Sequence, residues 1–507
     1  MAMYILSHDL GTTGDKATLF SEDGRLISSA FTPYQTYYPE AGWAEQNPND
    51  YWRAFCESTA KLINQAKVKP GDIGVVSFSG QMMAALPVDE KGNALRYSII
   101  WADLRSTRQA EKVAERIEPE RVYELTGHRL SASYSATKIM WIRENEPDIY
   151  KKASKFIHAK DFVVCRLTGN IFSDFSDATG MNLLNIESLE WSEELLGATG
   201  IERGKLPDLL ESTSVAGKVT KEAASESGLM EGTSVVIGGG DGPCATCGAG
   251  VVRGGEAYIY LGTSTWMGLA SNHPLIDPGK RTFTFSHLKR GLYMAAGTMQ
   301  AGGGSLKWFR DVIGDAEKYA AMKAEVDAYE LLTLKAGEVP CGSRGLIFLP
   351  YLMGERSPLW DPHARGCFIG LTMVHKKSHL IRAVLEGVAC NMRSIAEAFE
   401  EQGFQFTAIR IIGGGAKSRL WRSIFADVLG KPIQRLNFID EATSIGAAIA
   451  GGVGVGMFLS LGDAVRFVKV EEEVHPFEKN VKLYNEYYRA FKECYPRLVE
   501  VFKMLAL

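Results

Sequence analysis

The sequence predicts an α/β protein made of two similar halves with a cleft between them. Three observations carry this. The chain has 507 residues, and a single core stops growing at about 250–300 residues. Apolar strand segments alternate with helical ones along most of the length. The motif Leu10-Gly11-Thr12-Thr13 is echoed at Leu261-Gly262-Thr263-Ser264, each between two apolar strands at the head of a half-chain. The boundary is expected near Gly240, giving halves 1–240 and 241–507 joined by a tight turn.

The first half opens as a β-meander. YILSHDLG reads as an apolar strand, Thr12 to Gly14 as a turn, KATLF as a second strand, and SEDG as the next turn. Asn47-Pro48-Asn49-Asp50 has the signature of a helix start, with Asn47 as cap and Pro48 in the first turn. Trp52, Phe55, Thr59, Leu62 and Ile63 then follow at helical spacing. DIGVVSFSG reads as a buried strand that ends in a polar turn. In the second half, EAYIYLGTSTWMGL reads as strand, turn and strand, and IRIIGGGAKSRLW as strand, turn and helix. From about His475 the chain is expected to be helical, with Tyr484, Tyr487, Tyr488 and Phe491 on one stripe.

Composition excludes several functions. The net charge of −4 comes without a sustained basic tract, so nucleic acid is not the expected partner. MAMYILSHDLG has no basic n-region, and His8 and Asp9 break its apolar run at once, so no signal peptide is expected. Ala442 to Gly462 carries no charged residue, but its glycines and Thr443 and Ser444 make it a buried helix with a glycine-rich loop rather than a membrane span. Eight scattered cysteines fit free thiols in the cytoplasm. Cys244 and Cys247 form one CxxC, which is either a redox pair or, more simply, two small residues at a helix start.

Four glycine-rich turns follow strands: Asp9 to Gly14, Gly238 to Gly242, Gly262 to Ser264, and Gly413 to Gly415. Glycine there lets backbone N–H groups approach an anion, and Thr12, Thr13 and Thr263 add hydroxyl donors. Lys16, just past the first turn, either reaches a phosphate or is a solvated strand lysine. No GxxxxGK[ST] motif is present, and Gly413 to Gly415 does not continue as GxGxxG, which disfavours a dinucleotide fold. Asp9 and Asp241 each end an apolar strand among small residues. A carboxylate placed there binds a metal, accepts hydrogen bonds or abstracts a proton; one could organise Mg²⁺ and the other act as base.

These residues match a family. SYSATKIMWIREN, from Ser133 to Asn145, and GCFIGLTMVHKKSHLIRAVLE, from Gly366 to Glu386, carry the resemblance. Shorter stretches such as HDLGTTGDKA, SGQM, WADLRS, KDFVVCRLTG, SDFSDATG and LPYLMGERSP support it. Over essentially its whole length the chain resembles the FGGY carbohydrate kinases, most closely the xylulokinase branch. The resemblance implies two actin-like, ribonuclease H-like ATPase domains, with ATP and a sugar meeting in the cleft. It implies Asp241 as general base, with Asp9 and Asp241 at Mg²⁺. It implies phosphate contacts from Gly11, Thr12, Thr13, Lys16, Gly262 and Thr263. Gly302, Gly303, Gly414, Gly415 and Ser418 would lie at the adenosine end, and Gln81, Met82, Met83, Trp101, Asp103 and Gly242 near the sugar. Two residues depart from the xylulokinase pattern. Met83 replaces a histidine and Gly242 an asparagine, and the Asp-Gly pair is similar to the gluconate kinase branch.

The expected reaction is ATP-dependent phosphorylation of D-xylulose or a related ketose, with a sugar acid or polyol such as gluconate as the alternative. A non-catalytic actin-like sugar sensor is the rival from another class, disfavoured by the intact Asp9 and Asp241 and the lack of a DNA-binding helix pair. The expected partner is a small sugar, with a homodimer left open.

Overall fold

In the computed structural model, which describes residues 3–463 and 467–505, the chain folds around two large sheets. The first contains β1 (Tyr4–Leu10), β2 (Gly14–Ser21) and β3 (Leu26–Pro33), then β4 (Ile73–Gly80) after helix α1 (Pro48–Ala66). After α2 (Ala159–Thr168) come β5 (Val215–Lys218) and β6 (Ser234–Gly240). The strand order is β5-β6-β4-β1-β2-β3. The first three strands are an antiparallel meander, and β4 and β6 continue the sheet in parallel beside β1.

The burial pattern follows from strand position. β4, inside the sheet with both faces covered, is buried along nearly all of IGVVSFSG, whereas edge strand β3 alternates and leaves Ile27 and Phe31 exposed. Helix α1 begins as its sequence predicts. The Asn47 side chain accepts from the Asn49 N–H at 3.1 Å, and Trp52, Phe55, Thr59 and Leu62 are buried.

The second half repeats the plan. After helix α3 (Asp241–Gly248) come β7 (Ala257–Leu261), β8 (Thr265–Ser271), β9 (Phe283–Ser286) and β10 (Tyr293–Met299). The long helix α4 (Lys377–Glu400) precedes β11 (Ile409–Ile412), α5 (Arg419–Leu429) and β12 (Ile433–Leu436). Then follow α6 (Ala442–Gly454), β13 (Val470–Val474) and α7 (Glu478–Leu505). The order β9-β10-β8-β7-β11-β12-β13 again places an antiparallel trio, β10-β8-β7, beside two parallel strands. The Leu-Gly-Thr turn therefore follows the first strand of each trio. Tyr484, Tyr487, Tyr488 and Phe491 of α7 are buried as their spacing predicts.

Two helices fill the space between the halves. α6 packs on the first sheet, with Ile445, Ala448 and Ile449 clustered against Val75 and Val236, and α3 packs on α6. Glycines permit this contact: a Cβ on Gly248 would lie 1.8 Å from the Ala442 carbonyl oxygen, and one on Gly446 would lie 2.0 Å from that of Cys244. The glycine-rich apolar stretch is thus an inter-sheet helix, and no helix among the described residues is long and apolar enough to cross a membrane. Cys244 and Cys247 are free, fully buried members of this cluster, and burial pushes both thiols up, that of Cys247 to about 12. That is the state of packing residues rather than a reactive pair.

Candidate active site

Because β1, β4 and β6 run parallel, their C-terminal ends lie on one edge of the first sheet. That edge carries Asp9 near the end of β1, Gln81 to Met83 after β4, and Asp241 after β6. The end of β6 is bulged. Its register against β4 shifts between Val236 and Gly239, and Gly238 adopts φ +69°. A Cβ on Gly238 would sit 1.8 Å from the Phe78 carbonyl oxygen, one on Gly239 2.7 Å from Ser176 Oγ, and one on Gly240 2.4 Å from Met82 Sδ. These three glycines, read from the sequence as part of a ligand cradle, are instead buried glycines that let protein groups approach; Asp241 follows directly at the start of α3.

The two carboxylates come together. Asp241 Oδ1 accepts from the Gly242 N–H at 2.7 Å. Burial, then the charge of Asp9, pushes the Asp241 carboxyl up to about 7. Burial also raises Asp9, opposed chiefly by the hydrogen bond from Thr443. Thr443 Oγ1, on α6 of the other half, donates to Asp9 Oδ2 at 2.7 Å, while Asp9 Oδ1 is buried without a hydrogen-bond partner. A hard divalent cation fits this donor set: an orphaned, buried carboxylate oxygen on Asp9 with the Asp241 carboxylate close enough to feel its charge.

One such glycine turn stands on each half, after the first strand of its antiparallel trio. Gly11 donates to Gly14 O at 3.1 Å, which closes the turn over Thr12 and Thr13 and leaves Thr13 exposed. Behind it lies a network that sequence reading missed. Gln81 Nε2 donates to Gln46 Oε1 at 2.7 Å, Gln46 Nε2 to the Thr12 carbonyl at 2.7 Å, and Tyr51 OH to Gln46 Oε1 at 2.8 Å. Gln81 is thus a buried brace of the turn. Trp101 Nε1 donates to Thr12 Oγ1 at 2.9 Å. Lys16 Nζ donates to the Asp440 carbonyl at 3.0 Å and pairs with Glu441 at 3.3 Å, so it bridges the halves.

In the second half, Thr263 is exposed at its turn, and the helix start at Gly302 is tied to that turn by Gly303 N–H to Gly262 O at 2.8 Å and Gly304 N–H to Thr263 O at 2.9 Å. A Cβ on Gly302 or Gly303 would collide with Thr265 Oγ1 or Gly262 O, which explains both glycines. Gly415 packs against Leu261, whereas Gly414 has nothing within 4 Å of its Cβ position and faces open space. Ser418 caps α5 by accepting from the Trp421 N–H at 3.3 Å.

Among the residues expected near the sugar, Met83 has φ +66°, and fully buried Lys138 holds its carbonyl at 2.8 Å. Met82 belongs to an apolar cluster with Phe283, Phe285 and Met294, against which Met83 and Trp360 pack. A Cβ on Gly242 would lie 3.4 Å from the Met294 methyl, in ordinary contact. The structure does not bring the Asp103 carboxylate to the cleft. It is fully buried and taken up by the Ala44 N–H at 2.5 Å and the Arg105 guanidinium at 2.7 Å.

The N-terminal domain of the FGGY family of carbohydrate kinases matches residues 4–248, and the C-terminal domain of the same family matches residues 257–455. The chain belongs to the FGGY family. It is an ATP-dependent carbohydrate kinase with the two-domain, actin-like ATPase fold of that family. It is 31% identical to the xylulose kinase of Bacillus subtilis (strain 168) over 493 residues, covering 97% of this chain and 96% of that one. It is 34% identical to the gluconokinase of Bacillus licheniformis over 514 residues, covering 100% and 99%. The crystal structure of gluconate kinase from Lactobacillus acidophilus superposes with a TM-score of 0.92 at 27% identity, covering 100% of both chains. The FGGY assignment is thus common ground between xylulose and gluconate kinases.

Proposed function

We propose that this kinase transfers the γ-phosphoryl group of Mg·ATP to a hydroxyl of D-xylulose or a related ketose. The observation that carries the mechanism is Asp241: a carboxylate at a strand end, held by the Gly242 N–H and poised by burial and Asp9 to accept a proton near neutral pH. ATP donates the phosphoryl group and leaves as ADP, and a bound Mg²⁺ would offset the negative charge of the phosphates. Asp241 takes the proton of the attacking hydroxyl. Asp9, with its free Oδ1, is the residue to hold the cation. The Thr12–Thr13 and Thr263 turns hold the phosphates from both halves, Gly414 leaves room for the nucleoside, and cleft closure excludes water. Eight free cysteines accord with a reducing compartment such as the cytoplasm.

One observation favours a sugar acid as the second reading. The Arg356 guanidinium lies 5.5 Å from the Trp360 ring centroid and the Arg129 guanidinium 4.9 Å, with no carboxylate ion-paired to either among the described residues. Trp360 packs on the Met82–Met294 cluster beside Gly242. Buried His128 lies against Phe283 and Phe285, with its Nε2 unpartnered. Two unpaired cations beside an apolar wall suit a substrate with one carboxylate.

The test is a coupled assay of ADP release over ketoses, polyols and sugar acids, run with Asp241→Asn. The variant should bind ATP and lose about 10²-fold or more of turnover; retention of more than roughly a tenth would remove Asp241 as base. Arg356→Ala should depress kcat/KM for D-gluconate and spare D-xylulose if the sugar-acid reading holds.

A further inference from the structure

Beneath the end of β6 lies a buried charged cluster that the mechanism above does not use. Lys160 Nζ, on α2, lies 2.5 Å from Asp161 Oδ1, 3.0 Å from Asp174 Oδ1 and 3.2 Å from Asp177 Oδ2, and all four side chains are buried. His158 Nδ1 meets Asp177 Oδ1 at 2.5 Å. His158, Asp161 and Asp177 have metal-like spacing, but the Lys160 ammonium already occupies the position of a cation among these carboxylates. Taking so many charges out of water is expensive and contributes little net stability, so a purely structural role would be served as well by apolar packing.

The cluster is linked toward the active site through Asp174. Asp174 Oδ2 accepts from Ser176 Oγ at 2.5 Å, from the Ser176 N–H at 2.9 Å and from Ser212 Oγ at 2.8 Å. Ser176 Oγ in turn accepts from the Gly240 N–H at 3.1 Å. A hydroxyl has one proton, and Ser176 commits it to Asp174, leaving a lone pair for Gly240. Gly240 is the residue before Asp241. Glycine at 239 and 240 is what lets Ser176 come this close to the strand end, since a Cβ on Gly239 would lie 2.7 Å from its oxygen.

We propose that Ser176, fixed by Asp174 on Lys160, is a positioning residue for Asp241: it pins the Gly240 amide and so sets where the Asp241 carboxylate projects. The proposal rests on Asp241 being the base. Loss of the pin lets the strand end relax, and a displacement of about 1 Å at a reacting group costs on the order of a hundredfold in rate.

The experiment compares Ser176→Ala, Ser176→Thr, Ser212→Ala and Asp241→Asn in the full-length enzyme, measuring kcat, KM for ATP and for the best sugar, and Tm. Ser212 is a matched control, because it is a buried hydroxyl on the same Asp174 oxygen with no hydrogen bond to Gly240. Ser176→Ala is expected to lower kcat roughly ten- to a hundredfold with both KM values within about threefold, and Ser212→Ala to keep kcat within about threefold. Ser176→Thr, which keeps the hydroxyl, is expected to recover most of the lost kcat. If Ser176→Ala keeps kcat within about twofold, or Ser212→Ala lowers it equally, the positioning role is overturned. Should the threonine fail to fold, the alanine pair still decides. An active Asp241→Asn would overturn the base assignment on its own, whatever the serines show.

Discussion

Thr443 Oγ1 donates to Asp9 Oδ2 at 2.7 Å, a bond between residues 434 positions apart that joins helix α6 of the second half to the first strand of the first. It occupies one Asp9 oxygen and leaves the other unpartnered, so the carboxylate presents a single oxygen in a fixed direction. A hydrogen bond to a charged group is worth about 1.5–3 kcal/mol. Thr443→Val should therefore lower kcat/KM for Mg·ATP roughly tenfold or more and raise the Mg²⁺ needed for half-maximal rate. Initial rates over a Mg²⁺ titration check this, and an unchanged titration curve would show that Asp9 does not depend on Thr443.

Met83 and Gly242 should set sugar preference. Both departures from the xylulokinase pattern remove hydrogen-bonding groups, and an apolar lining discriminates only about 10–200-fold per difference. Histidine tolerates the left-handed backbone at position 83 better than most residues, and Gly242 has room for a Cβ against Met294. Met83→His with Gly242→Asn should raise kcat/KM for D-xylulose relative to D-gluconate by about tenfold. A parent that already prefers D-xylulose by orders of magnitude, with reversions that change nothing, would sink this idea.

Nucleotide and sugar together should draw the halves closer. The two halves each carry a Leu-Gly-Thr turn, at Thr12 and at Thr263, that we propose holds phosphate, and Lys16 already reaches across to Glu441. Small-angle scattering should record a smaller radius of gyration with a non-hydrolysable Mg·ATP analogue and sugar than without. An identical radius in both states argues against a hinged cleft.

His287 should make the fold sensitive to acid. Its Nε2 lies 3.0 Å from the Val251 carbonyl oxygen and its Nδ1 accepts from the Lys289 N–H at 2.9 Å, an arrangement only the neutral ring satisfies. Burial holds the ring at about 4, below the usual 6.5. The unfolded chain thus takes a proton below pH ~6.5 that the native ring refuses until about pH 4, so the stability contributed by the neutral ring falls as pH falls through that window. Between pH 6.5 and 5, the stability advantage of the wild type over His287→Gln should shrink by roughly 1.5 kcal/mol. Urea unfolding at the two pH values checks it, and a constant gap would mean the ring protonates in the native state.

Much of this protein was legible in its sequence, because the features concerned are local. The meander from Tyr4 to Pro33, the Asn47 cap, the buried strand Ile73–Gly80 and the α7 stripe are periodicities and turn chemistries that a short window carries. The repeated Leu-Gly-Thr turn announced two halves, and Asp9 and Asp241 stood out as carboxylates at strand ends. Tertiary structure decided what these residues touch. Gly238 to Gly240 look like a ligand turn but are glycines so that Phe78, Ser176 and Met82 can approach. Gln81 braces the Thr12 turn through Gln46, Asp103 is consumed by Arg105, and Lys138 holds the backbone of Met83. Thr443 and Ser176 carried no sequence signal for their contacts with Asp9 and Gly240. The reason is physical: local pattern records which side of an element is buried, whereas a hydrogen-bond partner hundreds of residues away is selected only when the two sheets and the helices between them pack.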